Sequence, residues 1–298
     1  MLLSLLWLFP LVHAINIISS NDDGWAVANI RSLYHSLTSA GHSVVISAPA
    51  HDQSGTGSLD DEPSELDMPC QFNSCPAGSP PTGHSASQPR FNYVNSYPAT
   101  AMKWGINTFG PKFFGGPPDL AVAGPNVGSN LGLAVFFSGT VGAATLAAHE
   151  AGLPAIAFSG RSGSATAWNA PTPHYSPVYA ELSTRLVNRL IASGPPYLPP
   201  DVWLNVNFPE VDDTCTSPDD FHFVLSRLFP AAPLITEDDV RICGSDQLPS
   251  EREVIYASGC YTSVSVGMAD TKDVANATMQ KAVLNKLGPE SLSCLSGD

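Results

Sequence analysis

Two adjacent acids near the start of the chain are the residues whose types and spacing most directly suggest chemistry. Asp22 and Asp23 lie in Asn21-Asp22-Asp23-Gly24, directly after the apolar, β-branched run of residues 15–20. Neighbouring carboxylates repel each other, so keeping both ionised is costly without a cation, although the N-terminus of a following helix offsets part of that cost. The structural alternative is helix capping, which needs only one aspartate.

Three further polar segments could contribute to the same site. Residues 52–57 (Asp-Gln-Ser-Gly-Thr-Gly) follow a second apolar run and, taken alone, indicate only a turn. Residues 124–132 carry Asn126 and Asn130 among glycines, which allow the backbone to approach a ligand and leave neutral amide oxygens as donors. Residues 138–140 (Ser-Gly-Thr) open a predicted helix, where free N–H groups can bind phosphate.

Together these segments predict an all-oxygen site. Open α/β sheets bind ligands beyond the carboxyl ends of their strands, and two carboxylates, a hydroxyl and an amide oxygen would meet there. Hard divalent ions such as Mg²⁺, Mn²⁺ or Ca²⁺ prefer such ligands, and the sequence does not choose among them. Residues 124–132 match neither G-x-G-x-x-G nor the phosphate loop G-x-x-x-x-G-K-[ST].

The hydrophobic pattern predicts the elements that would position these segments. Residues 15–20 predict a strand, and residues 25–40 predict a helix that ends at Gly41. Residues 42–48 predict a second strand, which stops at Pro49. A strand, a helix and a strand in close succession predict a right-handed crossover in a parallel sheet.

The remaining pattern continues this alternation. Strands are predicted at residues 119–123, 155–158 and 202–208, and helices at residues 138–151, 177–193 and 272–287. Phe221–Leu228 and Tyr261–Gly267 predict exposed-face strands that could form a hairpin, and residues 50–98 predict either a lid or short hairpins. We therefore predict an α/β fold with a Rossmann-like open, mostly parallel sheet, helices on both faces, and an elaborated C-terminal region of β-hairpin and helix.

The overall charge restricts the possible partners. The 298 residues include 13 Lys and Arg against 27 Asp and Glu, giving a formal net charge of −14. Such a surface repels phosphate backbones over a Debye length of about 8–10 Å, so a nucleic-acid polymer is not an expected partner. No run after the first residues is long enough to span a bilayer, and no membrane partner is expected. An anionic substrate would need a local cation.

The N-terminus and the cysteines predict a secreted protein. Residues 1–14 form an apolar run that ends in Ala14, as a signal peptide does, although the run could instead begin the first buried strand. Cleavage would leave a single domain, residues 15–298, with an extracellular, vacuolar or cell-wall location. The six cysteines indicate disulfides: Cys70, Cys75, Cys215, Cys243, Cys260 and Cys294. Fifteen pairings are possible for six cysteines, and Cys70 with Cys75 is the easiest local pair.

These motifs, taken in this order, resemble the survival protein SurE family. The segments that carry the resemblance are Asn21-Asp22-Asp23-Gly24, Ser54-Gly55, Gly124-x-Asn126-x-Gly128-x-Asn130-Leu-Gly132, Ser138-Gly139-Thr140-Val141, Leu153–Ala157 and Leu204–Asn207. The resemblance implies a metal-dependent phosphatase that acts on nucleoside monophosphates and related phosphate monoesters. It also implies that the ion is bound by the four residues Asp22, Asp23, Ser54 and Asn126.

The resemblance extends over about residues 15–210 and weakens beyond them. It implies a homodimer formed through C-terminal elements, so residues 210–298 are interpreted as a dimerisation extension of the single domain. The expected substrate is a small phosphorylated molecule, and the expected cofactor is one divalent ion, Mg²⁺ or Mn²⁺ ahead of Ca²⁺.

A catalytic hypothesis follows from these assignments. The ion polarises a phosphoryl oxygen and lowers the pKa of a water molecule, and Asp22 or Asp23 orients that water or accepts its proton. The substrate-binding residues would be Asn21, Asn130, Ser138, Gly139 and Thr140, with Asn21 bracing the loop rather than binding metal.

Two other functions stay open at this point. A secreted protein with the same fold and ion site could bind its phosphorylated ligand without turnover. A serine esterase is a weaker alternative, since Ser162 in Gly160-Arg-Ser-Gly-Ser164 lacks the last glycine of G-x-S-x-G. Trp25, beside the acidic pair, could stack on a nucleobase or pack against the sheet.

Overall fold

The structure is a computed structural model, and it describes residues 14–232 and 234–295. The predicted signal peptide, residues 1–14, falls outside this part of the chain except for Ala14, and its cleavage stays a prediction. Within the described ranges, no helix combines the length and the apolar character needed to cross a membrane.

The strands of the described residues form one nine-stranded sheet with the order β3-β4-β2-β1-β5-β6-β7-β9-β8. The strands are β1 (Asn16–Ser20), β2 (Ser43–Pro49), β3 (Thr82–His84), β4 (Phe91–Val94), β5 (Leu120–Val127), β6 (Ala155–Gly160), β7 (Val202–Phe208), β8 (His222–Ser226) and β9 (Tyr261–Met268). The six strands from β4 to β7 in this order run parallel, while β3 and β9 run antiparallel to β4 and β7. The predicted α/β class with a mostly parallel sheet is confirmed.

One detail of the predicted C-terminal region is wrong. The segments predicted as a possible hairpin form the neighbouring strands β8 and β9, but these pair in parallel, with His222 opposite Tyr261 and Ser226 opposite Ser265. A parallel pair needs a crossover, and the chain between the two strands supplies one that contains a short helix. The two strands are also buried on both faces rather than exposed on one, except at the exposed His222 and at the half-buried ends of β9.

Helices cover both faces of the sheet, as predicted. They are α1 (Ala28–Ser39), α2 (Pro98–Trp104), α3 (Gly110–Phe114), α4 (Gly139–His149), α5 (Tyr175–Ala192), α6 (Glu251–Tyr256) and α7 (Ala277–Leu287), and a π-helical turn over Gly105–Phe109 joins α2 to α3. Helices α1, α5 and α7 contribute to one apolar core, and α2 and α4 contribute to the other. Ile17 and Ile18, adjacent in β1, enter opposite cores because successive strand side chains point to opposite faces.

The long polar segment of residues 50–98 contains a short hairpin of β3 and β4 and a small disulfide loop. The predicted local pair Cys70–Cys75 is present, with Cys215–Cys260 and Cys243–Cys294 as the other two disulfides. The two long-range disulfides both lie in the C-terminal part of the chain, where Cys215–Cys260 ties the segment after β7 to the start of β9.

The strand order explains why distant polar segments meet. Strand β1 lies between β2 and β5, and all three run parallel, so their carboxyl ends lie at one edge of the sheet. The chain leaves β1 through residues 21–24, β2 through residues 50–57 and β5 through residues 128–132, with Asn126 one residue before the end of β5.

Candidate active site

The acidic pair does not cap the helix that follows it. Helix α1 begins at Ala28, its N-cap is Val27, and no side chain caps it. Asn21 braces the turn instead, because its Nδ2 donates a hydrogen bond to the carbonyl oxygen of Gly24 at 3.0 Å. The capping interpretation of Asp22 and Asp23 is therefore wrong for this helix.

Asp22 contacts the N-terminus of a different helix, α4. The Thr140 hydroxyl and the Thr140 backbone N–H both donate to the Asp22 carboxylate. Gly139 permits this approach: a Cβ placed on it would lie 2.8 Å from the Cβ of Asp22 and 2.8 Å from Pro98. The helix N-terminus predicted to bind phosphate is thus partly occupied by a carboxylate of the chain itself.

Asp23 links the turn after β1 to the end of β5. Its Oδ2 accepts a hydrogen bond from the backbone N–H of Val127 at 3.0 Å. The preceding residue, Asn126, follows a register shift in β5, and its Nδ2 donates to the carbonyl oxygen of Gly128 at 2.7 Å. Since the Asn126 nitrogen has this partner, the amide oxygen is the atom left to act as a ligand. Asn29 of α1 supports the same bend by donating to the Pro125 carbonyl at 3.1 Å.

The loop after β2 reaches the same place through its backbone. The N–H of Gln53 donates to the carbonyl oxygen of Asp22 at 2.8 Å. Ser54 is exposed, and its hydroxyl and N–H donate to Oδ1 of Asp52 at 2.7 and 2.8 Å. Ser54 thus follows directly on the residue that is hydrogen-bonded to Asp22, and its hydroxyl proton is directed to Asp52.

The electrostatics of the pair favour a cation. Asp22 and Asp23 are only 2% and 4% exposed, and neither takes part in an ion pair among the described residues. Burial, together with the charge of Asp22, raises the pKa of Asp23 to about 8, and burial also raises the pKa of Asp22. The nearby Asp52 adds to both effects. A divalent ion would relieve this repulsion.

The residues present fit such an ion. The available donors are two carboxylates, an amide oxygen and a hydroxyl, which suit a hard cation that keeps some of its water ligands. No group of three or more His, Cys, Asp or Glu side chains suited to a metal occurs in residues 14–232 and 234–295. An ion here would therefore depend on neutral oxygen ligands beside the two acids.

Two predicted substrate-binding residues have their side chains engaged within the protein. Asn130 is 7% exposed, and its Nδ2 donates to the Ser159 hydroxyl at 2.8 Å. Its backbone is fixed as well, because its N–H donates to Asn207 and its carbonyl accepts from Asn205 and Asn207. Ser138 is the N-cap of α4, where its hydroxyl accepts from the N–H of Val141.

This arrangement of the sheet and of the polar loops agrees with comparisons to known proteins. Residues 17–223 match the family model described as "Survival protein SurE". The chain belongs to the SurE family. The matched range includes every SurE site residue predicted from the sequence, from Asn21 to Thr140.

Similar SurE relatives include fungal and bacterial proteins. An acid phosphatase of Yarrowia lipolytica is 36% identical over 286 residues, covering 85% of this chain and 79% of that protein. A 5'-nucleotidase SurE of Desulfovibrio desulfuricans is 35% identical over 146 residues, covering 48% of this chain and 49% of that protein. A 5'-nucleotidase SurE of Lawsonia intracellularis is 30% identical over 200 residues, covering 66% of each. The chain thus spans about half to two thirds of these bacterial relatives.

A solved structure supports the fold. The SurE protein from Aquifex aeolicus matches 91% of this chain and 98% of its own with a TM-score of 0.60, at 21% sequence identity. This likeness shows that the sheet and its helices have the SurE arrangement.

A buried acid that sequence reasoning missed lies beneath the Asn130 loop and beyond the range matched by the SurE model. Glu251, in the first turn of α6, is fully buried. Its Oε1 accepts from Nδ2 of Asn205 at 2.7 Å, and its Oε2 accepts from the N–H of Gly132 at 3.2 Å. Asn205 also holds the carbonyl of Asn130, so Glu251 is a positioning residue for residues 130–132. Only the capping box of Ser250 and Glu253 signals α6 in the sequence, and it gives no sign that Glu251 is buried.

Glu251 should make the stability of the protein depend on pH. Burial raises its pKa from 4.5 to about 8, so the unfolded chain loses this proton first as the pH rises. The unfolded state is then favoured increasingly between about pH 4.5 and pH 8. We expect the free energy of unfolding of Glu251→Gln, measured in urea, to rise relative to the unmodified protein by about 3–4 kcal/mol from pH 5 to pH 8.

The matched control is Glu210→Gln, which changes an exposed glutamate. Its stability difference from the unmodified protein should stay constant over the same pH range. A constant difference for Glu251→Gln as well would show that Glu251 is not held protonated in the folded state.

Proposed function

We propose that the protein is a secreted, divalent-metal-dependent phosphatase that hydrolyses small phosphate monoesters, including nucleoside monophosphates. The observation that carries this proposal is the pair Asp22–Asp23, buried without an ion pair among the described residues and joined through Asp23 to the backbone N–H of Val127, the residue after Asn126. Relatives named acid phosphatase and 5'-nucleotidase support a phosphatase activity for a chain of this family.

Four side chains are proposed as metal ligands. Asp22, Asp23, Asn126 and Ser54 would hold the ion, and Thr140 fixes the Asp22 carboxylate with two hydrogen bonds. When bound, a divalent ion supplies positive charge that polarises a phosphoryl oxygen and lowers the pKa of water.

Asp23 is the better placed proton acceptor. It accepts one hydrogen bond, from Val127, whereas Asp22 accepts at least two from Thr140. The freer oxygen of Asp23 can therefore orient the attacking water and take its proton.

The N-terminus of α4 offers one backbone donor to the substrate. The N–H of Ser138 bonds to Ala134, that of Thr140 to Asp22, and that of Val141 to the Ser138 hydroxyl. Among the described residues, the Gly139 N–H has no such acceptor. We assign it to a non-bridging phosphoryl oxygen, where a backbone N–H stabilises developing negative charge.

Secretion and dimerisation belong to the same proposal. Three disulfides link the six cysteines, and such bonds persist in oxidising compartments. Together with the apolar residues 1–14, they support an extracellular, vacuolar or cell-wall location. The homodimer is proposed from the family resemblance, with the region after residue 210 as the contact.

Metal removal is the direct test. We expect p-nitrophenyl phosphate hydrolysis to fall to background with EDTA and to return when Mg²⁺, Mn²⁺ or Ca²⁺ is added in excess, because the two buried acids need the ion's charge. A panel of nucleotides and sugar phosphates then gives the substrate range. Hydrolysis that is insensitive to EDTA and is blocked by an organophosphate would contradict the proposal in favour of a serine esterase. Binding of phosphate esters without turnover would contradict it in favour of a non-catalytic protein.

A further inference from the structure

Arg31 of α1 is a buried cation without an anionic partner. Arg31 is 8% exposed, its buried Nε has no hydrogen-bond partner, and it forms no ion pair within the described residues. The guanidinium carbon lies 3.8 Å from the ring centre of Phe91 and 5.2 Å from that of Trp25. Burial lowers the pKa of Arg31 to about 9. Arginine is almost never buried unpaired, since loss of hydration is costly, and the two rings compensate only in part.

Arg31 lines a cavity of about 620 Å³ that has an aromatic side and a side of small polar residues. The aromatic side consists of Trp25, Tyr93, Phe91 and Trp168. The other side comes from the Cys70–Cys75 disulfide loop and from residues 79–87, which include several serines and His84. Ligand sites for small molecules have this size and combine apolar walls with polar groups.

The cavity is separate from the metal-binding candidates. Asp22, Asp23, Ser54 and Asn126 do not line it. Trp25 packs against Tyr93, with ring centres 5.3 Å apart, so the packing alternative for Trp25 holds in this structure. The buried indole Nε1 of Trp25 has no hydrogen-bond partner, which adds a second unsatisfied donor beside the guanidinium.

The charge at the Arg31 cavity differs from that of the chain as a whole. The chain carries a net charge of −14, yet the Arg31 cavity has no carboxylate among its lining residues. An unpaired guanidinium selects an anion, and a planar carboxylate matches its fork of donors. The surrounding rings favour a ligand that is itself flat and aromatic.

We propose that this cavity binds a small aromatic carboxylate, with the carboxylate paired to Arg31 and the ring packed against the aromatic side formed by Trp25, Tyr93 and Trp168. This site is independent of phosphate hydrolysis at Asp22 and Asp23. A carboxylate without a ring, or a ring without a charge, should bind far more weakly.

The test is isothermal titration of the full-length, metal-loaded protein with 2-naphthoate, acetate and 2-naphthalenemethanol. We expect 2-naphthoate to bind with one-to-one stoichiometry and the other two compounds at least tenfold more weakly. Arg31→Met should weaken 2-naphthoate binding at least tenfold, whereas Arg31→Lys should retain more of it. Trp168→Ala, at a residue that is 39% exposed, should weaken binding without disturbing the fold.

Activity on p-nitrophenyl phosphate provides the fold control, because Arg31 and Trp168 are not part of the proposed catalytic machinery. Arg31→Met and Trp168→Ala should both keep that activity. The proposal is overturned if 2-naphthoate does not saturate, if acetate binds equally well, or if Arg31→Met binds 2-naphthoate as the unmodified protein does. It is also overturned if Asp22→Asn with Asp23→Asn abolishes 2-naphthoate binding, since the carboxylate would then occupy the ion site.

Discussion

Asp22→Asn combined with Asp23→Asn is expected to reduce phosphatase activity by at least about 10³-fold. The double variant removes both charges that hold the cation and the carboxylate that accepts the proton of water. Its fold should survive, because asparagine has a similar volume and its amide oxygen can still accept from Thr140. The measurement is kcat on p-nitrophenyl phosphate with saturating Mn²⁺ or Mg²⁺.

Thermal melting of the same variant separates ion binding from catalysis. The unmodified protein should gain melting temperature when the ion is added, because a ligand that binds only the folded state stabilises it. The double variant should not respond to the ion. It should also melt higher than the unmodified protein without metal, since two buried charges with raised pKa values are removed.

Asp213→Asn is the matched control, since this aspartate is exposed. It should leave kcat and the response to the ion unchanged. Full activity in the double variant would remove Asp22 and Asp23 from the mechanism and, with them, the metal site proposed here.

Much of the fold was predictable because most of its parallel strands stand out in the sequence as short apolar runs. Strand β7, Val202–Phe208, has the predicted bounds, and β1, β2 and β6 differ from their predictions by one or two residues. Each is a short, mostly apolar run, as expected for strands buried on both faces. Strand β5 was predicted to end at residue 123, because Pro125 indicates a loop in the sequence. In the structure, Pro125 lies at a bend within the strand, and pairing with β6 resumes at Asn126.

The direction in which β8 and β9 pair could not be predicted from the sequence. Strands β8 and β9 have the residue types of strands in either direction, so the pattern could not distinguish a hairpin from a parallel pair. The direction depends on where the connecting chain crosses the sheet, and that chain is held by long-range contacts such as the disulfide Cys215–Cys260.

The site was predictable in its composition but not in its internal contacts. The sequence indicates that acids and amides meet at one sheet edge, because parallel strand ends must lie together. It does not indicate that Asp22 bonds to α4 rather than to α1, or that Asn130 turns inward to Ser159. Those contacts depend on how α4 lies across the sheet, which helical periodicity alone does not specify.

At Gly142, helix α4 packs closely against the loop after β2, which carries the proposed metal ligand Ser54. A Cβ on Gly142 would lie 1.9 Å from the carbonyl oxygen of Gly57 and 3.1 Å from the Cα of Ser58. The neighbouring atoms belong to the backbone, so a methyl group there must displace the loop that follows β2. The same loop carries Ser54, and the Gly57 N–H bonds to the carbonyl of Phe137, just before α4, at 2.8 Å.

We therefore expect Gly142→Ala to raise the metal concentration that gives half-maximal activity by about tenfold or more, because residues that orient metal ligands have effects of this size. The kcat at saturating metal should fall less, since Asp22 and Asp23 keep their own contacts. Gly116→Ala is the control, because a Cβ there meets nothing within 4 Å. If Gly142→Ala is well folded and its metal dependence matches that of Gly116→Ala, Ser54 and its loop do not contribute to the ion site, and the ligands reduce to Asp22, Asp23 and Asn126.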